Sequence, residues 1–159
     1  MARQPDMYKA RQVYNTIIST LTNLNWKYAP HDEDLTIHSG AKGDDLPIEF
    51  ILKVRPQQEV VQFISKLPFD FPEDKRLEGA LAICAANYRL VDGCFDYNIA
   101  NGEILFRLTS SYRQSILGED LFEYMVMVSA STIDEYNDKF FMVAKDMMSI
   151  HQFIEQESK

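Results

Sequence analysis

The sequence predicts an α+β domain: an antiparallel sheet of about five strands with helices packed on it, in the order α-β-β-β-α-β-β-α, with the last helical stretch either one kinked helix or two. Three observations predict it. Apolar residues recur at helical spacing at both ends and in the middle of the chain. Between those stretches they alternate with polar residues, as one face of a strand requires. An Asn101-Gly102 pair stands between two alternating runs, and this is the preferred dipeptide of a two-residue type I′ hairpin turn.

Taken in order, residues 7 to 24 read as a helix capped by Asp6, with Tyr14, Ile17, Ile18 and Leu21 on one stripe. Trp26 and Tyr28, then Leu35 and Ile37, alternate with polar neighbours. They predict a first strand in two pieces, broken at Pro30 and the acidic turn Asp32-Glu33-Asp34. The stretch SGAKGDD reads as a loop on composition. Residues 48 to 55 and 60 to 67 read as a hairpin. Setting Val54 opposite Val61 pairs Lys53 with Gln62, Ile51 with Ile64 and Glu49 with Lys66 on the other face. Residues 72 to 91 read as a second helix whose stripe is Leu77, Ala80, Leu81, Cys84, Tyr88 and Val91, stopped by Gly93, with Ala82, Ala85 and Ala86 as a further close-packing surface. Residues 94 to 109 form the Asn-Gly hairpin, in which Phe95, Tyr97 and Ile99 oppose Leu108, Phe106 and Ile104. The reverse face then pairs Asp96 with Arg107 and Asn98 with Leu105. Leu117, Leu121, Phe122, Met125 and Val128 suit a third helix. Thr132-x-x-Glu135 resembles a capping box for a fresh start, followed by Tyr136, Phe140, Val143, Met147, Ile150 and Ile154.

The chain has 159 residues, no internal repeat and no low-complexity linker, so residues 1–159 are read as a single domain. A domain of this size buries about 70% of the surface of its unfolded chain and needs no disulfide or metal to fold. The formal net charge of −8 argues against nucleic-acid binding, which depends on Lys and Arg neutralising phosphates. Lys9 and Arg11, beside Tyr8 and Tyr14, read as a solvated helix face. Cys84 and Cys94 form no CxxC and read as buried thiols of a reducing cytoplasm. The opening residues do not read as a signal peptide, and no apolar run is long enough for a bilayer, so no membrane partner is expected.

Catalytic signatures are missing: there is no GxSxG elbow, P-loop, dinucleotide fingerprint or HExxH. His31 with Asp32 and Asp34 reads as a solvated loop, and Asp44 and Asp45 lack EF-hand spacing. No catalytic residue, cofactor or metal site is expected. The candidate positions are partner-binding ones. Ile51, Ile64 and Leu105 point to the second face of the sheet, alongside Asp96 and Arg107. Met142 and Met148 lie off the main helical stripe, and exposed methionines adapt to varied partners.

The stretches NWKYAP, PIEFILKV, VVQFISKLPFDFPEDKR and AANYRLVDGCFDYNIANGEILFR carry a resemblance. With Asn87, Gly93-x-Phe95 and Gly102-x-Ile104-x-Phe106-Arg107, they resemble the YbjN family of bacterial proteins, described as sensory transduction regulators. The resemblance runs from about Leu21 to about Phe141, and the stretch after Met142 departs from the pattern. It implies a fold like that of type III secretion chaperones, with a twisted antiparallel sheet, helices packed on it and frequent dimers. It also implies binding of extended segments of partner proteins and no enzymatic activity.

The function expected is therefore a non-enzymatic, protein- or peptide-binding module with a regulatory or chaperone-like role. The alternatives are a small-molecule enzyme or ligand-binding protein with a site near Asp96 and Arg107, and a structural homodimer.

Overall fold

The computed structural model describes residues 4–159. Its sheet has six strands in the order β1-β2-β3-β4-β6-β5, every neighbouring pair antiparallel. The strands are β1 (Tyr28–His31), β2 (Thr36–Lys42), β3 (Pro47–Arg55), β4 (Val60–Lys66), β5 (Cys94–Asn98) and β6 (Glu103–Ser111). Four helices accompany them: α1 (Met7–Asn23), α2 (Arg76–Arg89, after a single 3-10 turn at Glu73–Lys75), α3 (Glu119–Ala144) and α4 (Ile150–Glu157).

Asp6 caps α1 as expected, its carboxylate accepting from the Lys9 amide at 3.0 Å. Tyr14, Ile17 and Leu21 are buried. The expected split first strand is instead two separate strands, which makes the sixth. Pro30 does not break β1; it lies inside it, opposite Ile37, and β1 is an edge strand, where proline is tolerated. The turn comes at residues 32–35, closed by Leu35 at φ 54°. The SGAKGDD stretch is likewise not all loop. Ser39 to Lys42 belong to β2, because their backbones pair with Phe50 to Pro47. A small, polar composition there concealed a paired strand.

The β3–β4 register is the expected one, with Val54 opposite Val61, Lys53 opposite Gln62 and Ile51 opposite Ile64. Beyond that the expected Glu49–Lys66 pair is replaced. The Ser65 hydroxyl donates to the Glu49 carbonyl at 2.7 Å, and Lys66 turns to Glu103 at 2.6 Å. The β5–β6 hairpin is shifted by two residues from expectation. Asn98 pairs with Glu103, Tyr97 with Ile104, Phe95 with Phe106 and Asp96 with Leu105. The loop holds four residues, 99–102. It is closed by the Gly102 amide on the Asn98 carbonyl at 2.7 Å and by the Asn98 and Asn101 side chains accepting from Ala100 and Glu103 amides. A two-residue shift preserves facing, so Phe95, Ile104, Phe106 and Leu108 are buried, whereas Ile99 is carried out into the exposed loop.

The helices lie on one side of this sheet, α1, α2 and α3 against its strands and α4 against α2 and α3. Phe50, Phe63, Phe106 and Phe95 form an aromatic run across that face, joined to Tyr136 and Phe140 of α3. α2 lies on the same side, since Tyr97 donates to the Arg76 carbonyl at 2.9 Å and Asn87 brackets Phe95 with two 2.8 Å bonds. α2 does not bury the stripe expected of it. Its covered residues are Gly79, Ala82, Ile83 and Ala86, while Leu77, Leu81, Cys84, Tyr88 and Val91 face water. A Cβ at Gly79 would stand 2.7 Å from the Phe71 ring, so the small face is the only one able to approach this closely. Gly93 has positive φ (74°) but sits beyond the helix, which ends at Leu90 in extended backbone.

Nor does a helix start at Thr132. Its hydroxyl bonds the Val128 carbonyl one turn back, inside the unbroken 26-residue α3. The break falls at residues 145–149, with Asp146 at φ 57°, and the capping box is formed by Ser149 and Gln152 at the start of α4. Met147, expected on the buried stripe, is exposed in that break.

Candidate interaction surface

Strand pairing sets side chains in rows across the uncovered face. One row reads Ala29, His38, Ile51, Ile64, Arg107 and Cys94, each directly opposite the next on the neighbouring strand. On one side of it lies a polar row: His31, Thr36, Lys53, Gln62 and Thr109. On the other side, Lys66, Leu105 and Asp96 stand opposite one another, with Gly40 opposite Glu49 nearer the β1 edge. The result is a narrow apolar band, centred on Ile51 and Ile64, between polar rims. Ile51, Ile64 and Leu105 are half-buried by their neighbours' side chains, and no helix lies over them among the described residues.

The band opens at the β1–β4 end into a groove of about 680 Å³, walled by Lys27, Tyr28, His38, Glu49, Ile51 and Ile64 and floored at Gly40. A glycine suits that floor, because a Cβ at Gly40 would come within 3.0 Å of the Ile48 carbonyl. His38 and Gly40 escaped the sequence reading because they lie in or beside the stretch taken for a loop. Extending the Leu35–Ile37 alternation through Gly40 would have placed both on this face.

Asp96 and Arg107 meet on the same face. Arg107 donates from Nε at 2.7 Å and from Nη2 at 3.0 Å to the two carboxylate oxygens of Asp96. The pair is diagonal, not directly opposite, because of the hairpin's two-residue shift. The guanidinium hydrogen bonds hold the Asp96 carboxyl below the usual aspartate range, against a smaller opposing effect of burial. The Cys94 thiol beside it is pushed up, by burial first and then by the Asp96 charge. Asp96 and Arg107 lie outside the groove, with side chains each 40% exposed. A doubly bonded pair this wet is screened by water and contributes about 1 kcal/mol or less. Because the folded carboxyl titrates lower than the unfolded one, that contribution is present above the unfolded aspartate pKa and is lost as pH falls through the folded value. Arg107→Ala is therefore expected to change stability at pH 7 by under about 1 kcal/mol in urea titrations, with the difference shrinking further in acid.

The remaining candidate positions are not brought to this face. Met142 lies in the last turn of α3, where its carbonyl accepts from the Met147 and Met148 amides at 2.8 and 3.2 Å, and Met148 packs against the core. The cysteines are not the buried thiols expected: Cys84 is exposed because α2 turned its small-residue face inward, and Cys94 is half-buried because strand alternation sets it on the outer face, opposite Arg107. His31 and His38 meet ring to ring, centroids 4.7 Å apart. No group of three or more His, Cys, Asp or Glu among the described residues is placed to hold a metal. No helix among them is long and apolar enough to cross a membrane.

Solved structures with this arrangement include the crystal structure of YbjN, described as a putative transcription regulator, from E. coli. It is 14% identical at a TM-score of 0.58, covering 79% of this chain and 92% of that one. A chain of the HopA1–SchA chaperone–effector complex is 13% identical at a TM-score of 0.55, covering 84% of this chain and 98% of that one. A chain of the ExsC–ExsE complex is 12% identical at a TM-score of 0.58, covering 81% and 93%. These likenesses bear out the chaperone-like fold that the family resemblance implies. No curated protein matches the chain. The model of one family, described as "Putative bacterial sensory transduction regulator", matches residues 14–142, and the chain belongs to that family, YbjN.

Proposed function

We propose that the protein is a non-catalytic binding module that takes an extended, apolar segment of another protein across the open face of its sheet. The observation that carries this reading is the uncovered Ile51–Ile64 band running into the groove beside His38 and Gly40. An apolar patch rimmed by polar groups and left uncovered marks an interaction site. A band one row wide suits a chain in extended conformation, whose alternate side chains point the same way. Leu105 and the Asp96–Arg107 pair continue the surface toward β5 and give a partner's polar groups something to meet. The likeness to a chaperone–effector complex agrees with a protein partner, although a shared fold is an analogy and not a mechanism.

Panning a displayed peptide library on the purified protein tests this reading. Peptides with alternating apolar residues are the expected winners. Ile51→Gln and Ile64→Gln are each expected to weaken their binding about tenfold or more, roughly 1.4 kcal/mol. Thermal unfolding should move only a few degrees, since both side chains sit on the wet face. Enriched peptides that bind both variants as well as the parent would refute the proposal.

A further inference from the structure

We propose that the segment bound on the open sheet is acidic on either side of its apolar centre: an apolar residue over Ile51 and Ile64, with an Asp or Glu two residues before it and two after. This rests on the peptide-binding reading and adds the partner's charge to it.

The chain has 16 Lys and Arg against 24 Asp and Glu. The uncovered face reverses that balance. Strand parity and the groove walls set Lys27, Lys42, Lys53, Arg55, Lys66 and Arg107 on it, against Glu49, Asp96 and Glu103. At physiological ionic strength charges are screened over about 8 Å, so a bound segment meets the charges of this face and not those of the helix layer behind it.

Pairing within the face leaves cations over. Arg107 neutralises Asp96, and Lys66 neutralises Glu103. Lys53 has Asp34 of the β1–β2 turn at 3.9 Å, a loose contact with an exposed carboxylate. Lys27, Lys42 and Arg55 have no carboxylate partner among the described residues, and Arg55 donates instead to the Gln62 side chain. Glu49 is the one acid of the face left without a cation.

The apolar band divides this surplus. Lys53 and Arg55 follow Ile51 along β3, while Lys27, Lys42 and Lys66 lie on the other side, toward the groove. One same-face step along a strand is roughly 6.6 Å, and the same step separates alternate side chains of any extended partner. A segment laid along β3 and β4 with an apolar residue on Ile51 and Ile64 therefore sets its next same-side residues over Lys53 and into the groove walled by Lys27 and Lys66. The sheet edges offer less. Asn87 takes both the amide and the carbonyl of Phe95 in β5, and Pro30 brings no amide to β1. The apolar centre and Glu49 disfavour a nucleic acid, whose backbone carries a charge at every step.

Methyl chemical-shift titration of the full chain with end-blocked pentapeptides tests the proposal. Each has Trp in the middle and Ser on both sides of it, with Glu, Ser or Lys at both ends. The Glu form is expected to bind about tenfold more tightly than the Lys form, with the Ser form between them, as rim charges act. That preference should shrink as salt rises from about 0.1 M to about 0.5 M. A Lys27→Gln, Lys53→Gln double variant should lose most of it while holding the Ser form within about twofold of the parent. A Lys form that binds as well as the Glu form overturns the proposal, as does a preference that neither salt nor the double variant changes. So does displacement of the Glu form by oligothymidylate. Equal binding of all three forms at Ile51 and Ile64 would leave peptide binding standing without the charge rule, whereas no binding of any form would take both down. Were the double variant to unfold, the salt dependence and the Glu-to-Lys ratio of the parent would still decide.

Discussion

Phe140→Ala is expected to lower the free energy of unfolding by about 4 kcal/mol, in the range of buried phenylalanine truncations. Phe140 is fully buried at the point where three parts of the chain meet. Its ring stands edge-on to Phe95 of β5 at 5.0 Å and stacks on Tyr136 of α3 at 5.7 Å and on Phe153 of α4 at 5.6 Å. Removing it opens a cavity between sheet and helix layer and takes away the ring on which Phe153, the one fully buried side chain of α4, stacks. For a chain of this size, about 4 kcal/mol corresponds to a fall in Tm of roughly 8–16 °C. Hydrogen exchange should show α4 losing protection first. Phe140→Leu, which refills most of the space, should recover more than half of the loss. If denaturant titrations gave Phe140→Ala a cost under about 1 kcal/mol, the helix layer would not be seated as described.

Gly102→Ala should be nearly as damaging, although it adds a single methyl group. Gly102 has φ 80°, where an L-residue is strained. A Cβ there would collide with the Phe71 carbonyl oxygen and stand 2.9 Å from that residue's carbonyl carbon and its nitrogen. The same contact holds a hydrogen bond, the Phe71 amide donating to the Gly102 carbonyl at 2.9 Å. The methyl must therefore push the β5–β6 loop away from the segment that leads into α2. Strain and displacement together are expected to cost about 3 kcal/mol. Asn101→Ala, which loses only a side-chain bond to the Glu103 amide at 3.0 Å, should cost about 1 kcal/mol. Urea titration of the two variants side by side checks the contrast. Equal effects would mean that the Phe71 contact does not form.

That contact also explains what the sequence reading missed. Asn101-Gly102 announced a hairpin correctly but implied a two-residue loop. The loop widens to four because Gly102 is held by Phe71, a tertiary partner that local turn chemistry does not reveal. The core face survived the error because alternation has a period of two and the shift was two. The β3–β4 register was legible for a simpler reason: Val54 and Val61 alternate cleanly on both sides of a short turn. α2 failed differently. It carries two apolar stripes, one large and one small, and periodicity finds both without ranking them. The small one went inside because Phe71 and Tyr97 leave room only for Gly79. The Ile51–Ile64–Leu105 band was legible through strand parity, whereas the groove beside it needed β2, whose Ser, Gly and Ala look like a loop until Phe50 to Pro47 pair with them. Asp96 and Arg107 were joined by the right expectation through the wrong register, since long side chains reach a diagonal neighbour.

The claim on which the function rests is that partners approach the sheet from the side that carries no helix. Amide and methyl chemical-shift mapping during titration with a library-selected peptide measures this directly. The expected shifts centre on His38, Gly40, Ile51, Ile64 and Leu105, with the core methyls of Ile37, Leu52 and Val61 little changed. Shifts confined to the helix layer, with the Ile51 and Ile64 methyls unmoved at saturation, would contradict it.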